Sequence, residues 1–276
     1  MTTIAEALRA AAERMAATSD TARLDAELLM AHALRCDRSG LLLRHMREAE
    51  PGGFAALVER RRAREPVAYI TGQQEFFGRT FGVSAAVLIP RSDSETTVAA
   101  ALEARPDAAR ILDCGTGSGA LLLTLLAEMP NATGIGVDCS PGALSIARDN
   151  AATLGLASRA ELRLADWRLA GWSNDLGRFD LVIANPPYVE EGAELAPDVR
   201  DHEPALALFG GPEGLEDYRA LIPHLPSVLE PGGVAVLEIG HQQAEAVSAI
   251  AAQAGFTAEL RRDLADRPRA IILRRI

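Results

Sequence analysis

Apolar residues recur at helical spacing through the first quarter of the chain. Ile4, Leu8 and Ala11-Ala12 form one series, and Leu24, Leu28, Ala31 and Leu34 form another. Leu41–Met46 and Phe54–Arg64 continue the pattern, with Pro51-Gly52-Gly53 breaking it between them. Residues 1–72 are therefore predicted to form a helical bundle. Around residues 73–92 the character changes. Tyr69, Phe76, Phe77, Phe81, Val83, Val87 and Ile89 mix with Gly72, Gly78 and Gly82, which predicts a hairpin linker. Pro90-Arg91-Ser92-Asp93-Ser94-Glu95 then leads into a helix through Ala104, with Ser92 or Asp93 as its cap.

Over residues 93–276 the period alternates between two and 3.6. Strands are expected at 110–114, 133–138, 160–165, 179–184, 233–239 and 270–274, with a weaker one near 256–261. Helices fit 118–129, 141–153, 215–229 and 242–254. Regular alternation of this kind predicts an α/β domain with a mostly parallel sheet covered on both faces. The Val189–Glu213 stretch is long and unpatterned, as functional lids and binding loops are.

Composition narrows the class. Of the 276 residues 48% are apolar, enough for a sizeable core and far from disorder. Glu6, Arg9, Glu13 and Arg14 occupy the place of a signal-peptide apolar core, and no run is long enough to span a membrane, so a cytoplasmic protein is expected. Cys36, Cys114 and Cys139 lack metal or disulfide spacing and read as small buried hydrophobes. The net charge of −10 is uneven. Residues 1–72 hold 11 Arg against 10 acids, and the remainder 17 Arg against 28 acids. An acidic main domain is a poor platform for duplex DNA, whose binding relies on neutralising phosphates. Arg60, Arg61, Arg62 and Arg64 read as a solvated helix end that complements the helix dipole, with a partner-binding patch as the alternative.

The candidate chemistry lies at strand ends, where open α/β sheets bind ligands. Asp113-Cys114-Gly115-Thr116-Gly117-Ser118-Gly119 is a strand running into a glycine-rich turn and a helix. Its G-x-G-x-G spacing is not the dinucleotide fingerprint, which disfavours a nicotinamide dehydrogenase. Asp138 ends the second strand, where a carboxylate can accept from ribose hydroxyls. Asp166-Trp167 ends the third and suits an adenine amino group and ring. Together these describe an adenosine-containing ligand without a required pyrophosphate. Asn185-Pro186-Pro187-Tyr188 follows the apolar strand Phe179–Ala184. Its prolines donate no N–H, leaving the Asn185 side-chain oxygen and the Pro186 carbonyl to receive the two hydrogens of a planar –NH2 group. Tyr188 adds an aromatic face.

Asp113–Gly119, Asp138, Asp166 and Asn185–Tyr188 resemble the motifs of class I S-adenosylmethionine-dependent methyltransferases carrying N-P-P-Y. Within that class, the chain resembles the release-factor glutamine N5-methyltransferases over nearly its whole length. Supporting segments are Pro66–Gly72, Glu75–Gly78, Leu88–Glu95 and Asp198–Leu206. Ser92 and Ser94 depart from the family's Pro-Arg-Pro-Asp-Thr-Glu, while Arg91, Asp93 and Glu95 keep it. The resemblance implies a seven-stranded Rossmann-like sheet behind a helical substrate-docking domain. It implies methyl transfer from S-adenosylmethionine to the glutamine of the Gly-Gly-Gln loop of class 1 peptide chain release factors, leaving S-adenosylhomocysteine.

The site residues so implied are Asp113, Gly115, Thr116, Gly117, Ser118, Gly119, Asp138, Asp166, Trp167 and Asn185 for the cofactor. Asn185, Pro186, Pro187 and Tyr188 are implied for substrate and catalysis. A monomer is expected, with no metal and no direct contact to nucleic acid or membrane. The rival readings are a DNA adenine N6-methyltransferase, since adenine also presents a planar –NH2, and a non-catalytic adaptor that binds release factors. The acidic main domain opposes the first and the intact motifs oppose the second.

Overall fold

A computed structural model describes residues 2–276, which divide into two compact units. One runs up to Gln73 and also takes in Leu195–His202; the other comprises Gln74–Glu194 and Glu203–Ile276.

The helical unit contains α1 (Ile4–Met15), α2 (Ala22–Leu34), the single turn α3 (Arg38–Gly40), α4 (Phe54–Arg62) and α5 (Val67–Thr71). A capping box starts α1: the Thr3 hydroxyl takes the Glu6 N–H, and the Glu6 carboxylate takes the Thr3 N–H. Ile4, Ala7, Leu8, Ala11 and Met15 form its buried stripe. The second apolar series forms the helix expected of it, with Ala31 buried and Leu34 half-buried, but its first two members face outward. Leu24 and Leu28 are 40% and 37% exposed, whereas Asp25, Ala26, Glu27, Leu29 and Met30 are buried. Ion pairs account for this inversion. Glu27 receives Arg23 and Arg38, at 2.6 and 2.7 Å, and Asp25 receives Arg61 at 2.7 Å.

Arg61 also departs from the solvated helix end expected of the basic run: it is 6% exposed. Its Nη1 donates to Asp198 at 2.9 Å, and Asp198 lies in the helical turn Pro197–His202. A segment of the long 189–213 loop thus joins the helical unit through a part-buried ion pair. Arg60 and Arg62 keep to exposed pairs, with Glu65 and Glu59.

In the larger unit a hairpin, β1 (Gln73–Phe76) and β2 (Arg79–Gly82), turns through Phe77 and Gly78, both at positive φ. The Glu95 carboxylate accepts the Phe77 N–H at 2.9 Å. Helix α6 (Ser94–Ala104) follows, with Asp93 at the N-cap position but no capping bond from its side chain. The Asp93 carboxylate instead pairs with Arg269 at 2.8 Å. Then come β3 (Arg110–Cys114), α7 (Ala120–Glu128), β4 (Thr133–Asp138), α8 (Pro141–Thr153), β5 (Ala160–Leu164) and β6 (Phe179–Ala184). With Pro197–His202 as α9, the rest is α10 (Glu216–Leu221), α11 (Leu225–Val228), β7 (Leu229–Glu238), α12 (Ala244–Gln253), β8 (Phe256–Arg262) and β9 (Pro268–Arg275). The single helix expected at 215–229 is broken into α10, a 3-10 turn and α11. Pro223 and Pro226 lack the N–H groups that would carry it on.

The seven-stranded sheet has the order β5-β4-β3-β6-β7-β9-β8, parallel except at β9. Side chains alternate between two cores. Ile111, Leu181, Ile183 and Val236 face one side under α6 and α7; Leu112, Val137, Val182 and Leu237 face the other under α10 to α12. Every residue from Ala120 to Leu126 is buried, as befits a central helix apolar all round. The register places Cys114 level with Val137 on one neighbour and Ala184 on the other, and Ala184 level with Leu237. One residue further on, Gly115, Asp138, Asn185 and Glu238 therefore form a row along the carboxyl edge. This row spans the point where strand order reverses on either side of β3, the usual ligand crevice.

Two carboxylates under that edge are buried. Burial pushes the Asp113 carboxyl up to about 7, against the Thr116 hydroxyl bonded to it at 2.7 Å. Burial likewise pushes Glu238 up to about 7, opposed by Ser94, Arg269 and Tyr188. Asp113 Oδ1 and Glu238 Oε2 have no hydrogen-bond partner among the described residues.

Two predictions follow from these buried charges. Arg61→Ala leaves Asp25 buried without its cation and is expected to cost about 3 kcal/mol, read as a lower urea midpoint; a shift below about 0.5 kcal/mol would contradict the ion pair's role. The second concerns pH. Asp113 and Glu238 hold protons in the native state that the unfolded chain has released by about pH 5, so unfolding free energy falls as pH rises from about 4 to about 7. Asp113→Asn and Glu238→Gln should each flatten this slope in urea titrations; slopes equal to that of the parent chain would refute it.

Candidate functional site

A cleft enclosing about 1030 Å³, part of it open to solvent, lies at the carboxyl edge of the sheet. Its polar half is the Gly115–Ser118 turn, Asp138 and Trp167; Asn185 and Pro187 face the same space. The turn is held down by β4, because the Val137 carbonyl accepts the Gly115 and Thr116 N–H groups at 2.8 and 2.9 Å. Gly115 has a φ of 76°, and a Cβ there would stand 3.0 Å from the Trp167 ring. Only glycine lets the turn pass beneath the indole.

Asp138 Oδ2 accepts the Gly117 N–H and Oδ1 the Ser140 N–H, each at 2.9 Å. Each oxygen keeps a further lone pair, enough for a vicinal diol. Burial raises this carboxyl, and the N–H groups of Ser140 and Gly117 oppose the rise. Trp167 Nε1 donates to Asp217 Oδ1 at 3.0 Å, which fixes the indole plane as a flat wall. Asp217 lines the cleft too, its carboxyl raised by burial and held back by that indole N–H.

Asn185 is half-buried, lines the cleft and has no side-chain hydrogen bond among the described residues. The Pro186 carbonyl likewise accepts none there. The turn that carries them is clamped from behind. The Val189 N–H donates to the Leu208 carbonyl and the Val189 carbonyl accepts the Gly210 N–H, each at 2.9 Å, across a short bridge to Phe209, and a Cβ on Gly210 would come within 2.3 Å of the Pro187 carbonyl.

Some candidates stand elsewhere. Asp113 and Gly119 lie beneath the turn rather than on the cleft wall, Asp113 bracing Thr116. The Asp166 carboxylate is taken by the Arg168 N–H and Nε, at 2.9 and 3.0 Å, and the lining residues at that point are Trp167 and Arg168. Pro186 and Tyr188 do not line the cleft. Tyr188 lies half-buried, its hydroxyl donating to Glu238 at 3.3 Å and its carbonyl accepting from Gln243 at 3.0 Å. Burial, with Glu238 beside it, pushes this phenol well above its ordinary range, so it stays a donor. Cys114 is buried as expected, while Cys36 and Cys139 are half-buried, Cys139 on the cleft wall.

Sequence reasoning missed the apolar half of the cleft, Ala86–Arg91 with Pro204, Leu206 and Ala207, and it missed Asp217. Leu88–Glu95 and Asp198–Leu206 entered only as segments that support the resemblance, with no site role, and no motif marks Asp217. The residues present fit an adenosine-bearing sulfonium donor: a diol-accepting carboxylate, a flat aromatic wall, a backbone turn at a helix N-terminus, and an unpaired amide on the adjacent strand. No helix of the described residues is long and apolar enough to cross a membrane, and no cluster of potential metal ligands occurs among them.

Comparison with known proteins agrees with this geometry. The PrmC N-terminal domain family matches residues 6–72, and a methyltransferase domain family matches residues 106–261. The chain is 47% identical to the release factor glutamine methyltransferase of Cereibacter sphaeroides, over 91% of either chain. It is 43% identical to the release factor glutamine methyltransferase of Bradyrhizobium diazoefficiens, over 96% of this chain and 92% of that one. Among solved structures, a methyltransferase from Pyrococcus furiosus shares the fold at a TM-score of 0.53 and 16% identity, covering 80% of this chain and 96% of that one. The chain belongs to the release factor glutamine methyltransferase family.

Proposed function

We propose that this protein methylates the side-chain amide nitrogen of the glutamine in the Gly-Gly-Gln loop of class 1 peptide chain release factors, with S-adenosylmethionine as donor. The observation that carries the reading is the free Asn185 amide, one strand from the glycine turn and in the same row. The relatives' shared name supports it. Bound S-adenosylmethionine supplies a sulfonium methyl as the electrophile. Asp138 would accept the ribose hydroxyls, Trp167 would cover the adenine, and the Gly115–Ser118 turn would border the methionine portion, while Asp166, engaged by Arg168, stays off the cleft wall.

An amide nitrogen is a poor nucleophile because its lone pair is delocalised into the carbonyl. Asn185 Oδ1 on the cleft wall accepts one of its hydrogens and the Pro186 carbonyl, unpaired and just behind that wall, accepts the other, which orients the nitrogen and favours pyramidalisation as the new bond forms. The prolines keep competing N–H donors out of the turn. Pro187 borders the glutamine chain. Tyr188 steadies the turn through Glu238. Both carboxylates on the cleft wall have partners already, Asp138 in backbone N–H groups and Asp217 in the indole. Proton loss therefore follows methyl transfer, when the alkylated nitrogen is acidic enough for water to take it. The helical unit docks the release factor, and the protein works in the cytoplasm as a monomer.

Mass spectrometry of unmethylated release factor, after incubation with the protein and S-adenosylmethionine, should show one added methyl on that glutamine. Methyl on duplex DNA but not on the release factor would overturn the reading. Asn185→Ala should lower turnover on the order of 10²-fold while leaving S-adenosylhomocysteine affinity within about threefold. Asp138→Ala should do the reverse, weakening S-adenosylhomocysteine about tenfold or more in calorimetric titration, with turnover largely recovered at saturating donor. Equal losses in both quantities for both variants would contradict the division of roles.

A further inference from the structure

The apolar half of the cleft is built from two stretches that the sheet does not hold. Ala86–Arg91 lies outside every helix and strand, and Pro204–Ala207 contains only a 3-10 turn. A single carboxylate joins them. Glu203, its side chain 1% exposed, precedes Pro204 and reaches across the wall. Its Oε2 accepts the Ile89 N–H at 3.2 Å, and its Oε1 accepts from Arg91 Nη2. These bonds link positions 114 and 112 residues apart. Ile89, Pro90 and Arg91 line the cleft on one side of the staple, and Pro204, Leu206 and Ala207 on the other.

A buried carboxylate is an expensive way to join two apolar segments, since apolar side chains of similar volume would hold them without the desolvation penalty. What it adds is direction. An N–H and a guanidinium must meet one carboxylate at fixed angles, so the two segments lock in one relative position. The donor half needs no such help. Its turn is bonded to Val137 and Asp138, and its indole to Asp217, with no bond to Glu203.

We infer that Glu203 is a positioning residue for the acceptor, closing Ile89–Arg91 against Pro204–Ala207 around the incoming glutamine side chain. This rests on the reading of the site proposed above. The staple acts on acceptor geometry and leaves donor binding alone.

The test uses the full chain as Glu203→Ala, Glu203→Gln and Arg91→Ala, with release factor as acceptor. Glu203→Ala should lower kcat/KM for the release factor by about 30-fold, as sub-ångström misplacement of an acceptor does. Affinity for S-adenosylhomocysteine should stay within about twofold of the parent, because no donor-side bond is lost. Glu203→Gln keeps an acceptor for the Ile89 N–H and should recover part of the loss. The Glu203→Ala and Arg91→Ala effects should be less than additive, because each breaks the same pair.

Hydrogen exchange gives a readout that needs no activity. The Ile89 amide should lose protection in Glu203→Ala while the Gly115–Ser118 amides keep theirs. Unchanged Ile89 protection, parent-like kcat/KM in Glu203→Ala, or donor affinity falling in step with kcat/KM would each overturn the inference. Absence of methyl transfer by the parent chain would instead overturn the reading of its function, and the exchange result would still decide the staple.

Discussion

Everything chemical in this protein depends on the register of three parallel strands. Because Cys114, Val137 and Ala184 are level, the next residue of each strand emerges in one row at the sheet's carboxyl edge. Adjacent parallel strands are about 4.8 Å apart, so Asp138 and Asn185, two strands apart across β3, stand about 10 Å from each other. On the function proposed above, that interval lets a donor be held at one end and an acceptor at the other. A slip of one residue in either pairing would turn a core face outward, so burial on both faces fixes the register and the row with it.

Within that frame, polar side chains do the work of aligning loops. Asn150, buried on α8, donates to the carbonyls of Gly82 and Ser118 and accepts the Gly82 N–H, so it ties the hairpin and the glycine turn to one helix. The Asp180 carboxylate accepts the N–H groups of Ala109 and Arg110, each at 2.9 Å, where β3 begins. Glu203 does the same for the far wall of the cleft, and Arg61 for a turn of the long loop in the helical unit. Each has several directed bonds, and all but the half-buried Asp180 are buried, the kind of contact that specifies position more strongly than it stabilises.

The site itself is a set of acceptors rather than a base with a nucleophile. Asn185 and the Pro186 carbonyl are unpaired, while the nearby carboxylates are committed to backbone or indole N–H groups. Such an arrangement suits a substrate that brings its own hydrogens and needs its lone pair aimed, with electrophilic power arriving on the donor. It also explains why the turn is so rigidly backed. Acceptors that orient a planar group lose their effect if the turn can rotate, and Gly210 allows the return strand to close directly on it.

Period and turn chemistry alone determined the helical bundle and the strands at 110–114, 133–138 and 179–184, with Asp138 and Asn185 at strand ends, because these are local properties of the chain. The family resemblance was legible for the same reason, since each of its motifs is a run of a few residues at one strand end. What the sequence could not decide were contacts between distant segments. The inverted burial of α2 follows from Arg61, 36 residues from Asp25. The broken 215–229 helix was in principle readable from Pro223 and Pro226, but the apolar period outweighed them. Asp217 joined the site only through Trp167, 50 residues away, and the Glu203 wall only through Ile89 and Arg91. Tyr188 turned away from the cleft because Glu238, level with Asn185 on the next strand, offered its hydroxyl a buried acceptor. Local pattern sets what each segment is; which buried polar group finds which partner is settled only when the segments pack, since the cost of leaving one unpaired arises only once water is gone.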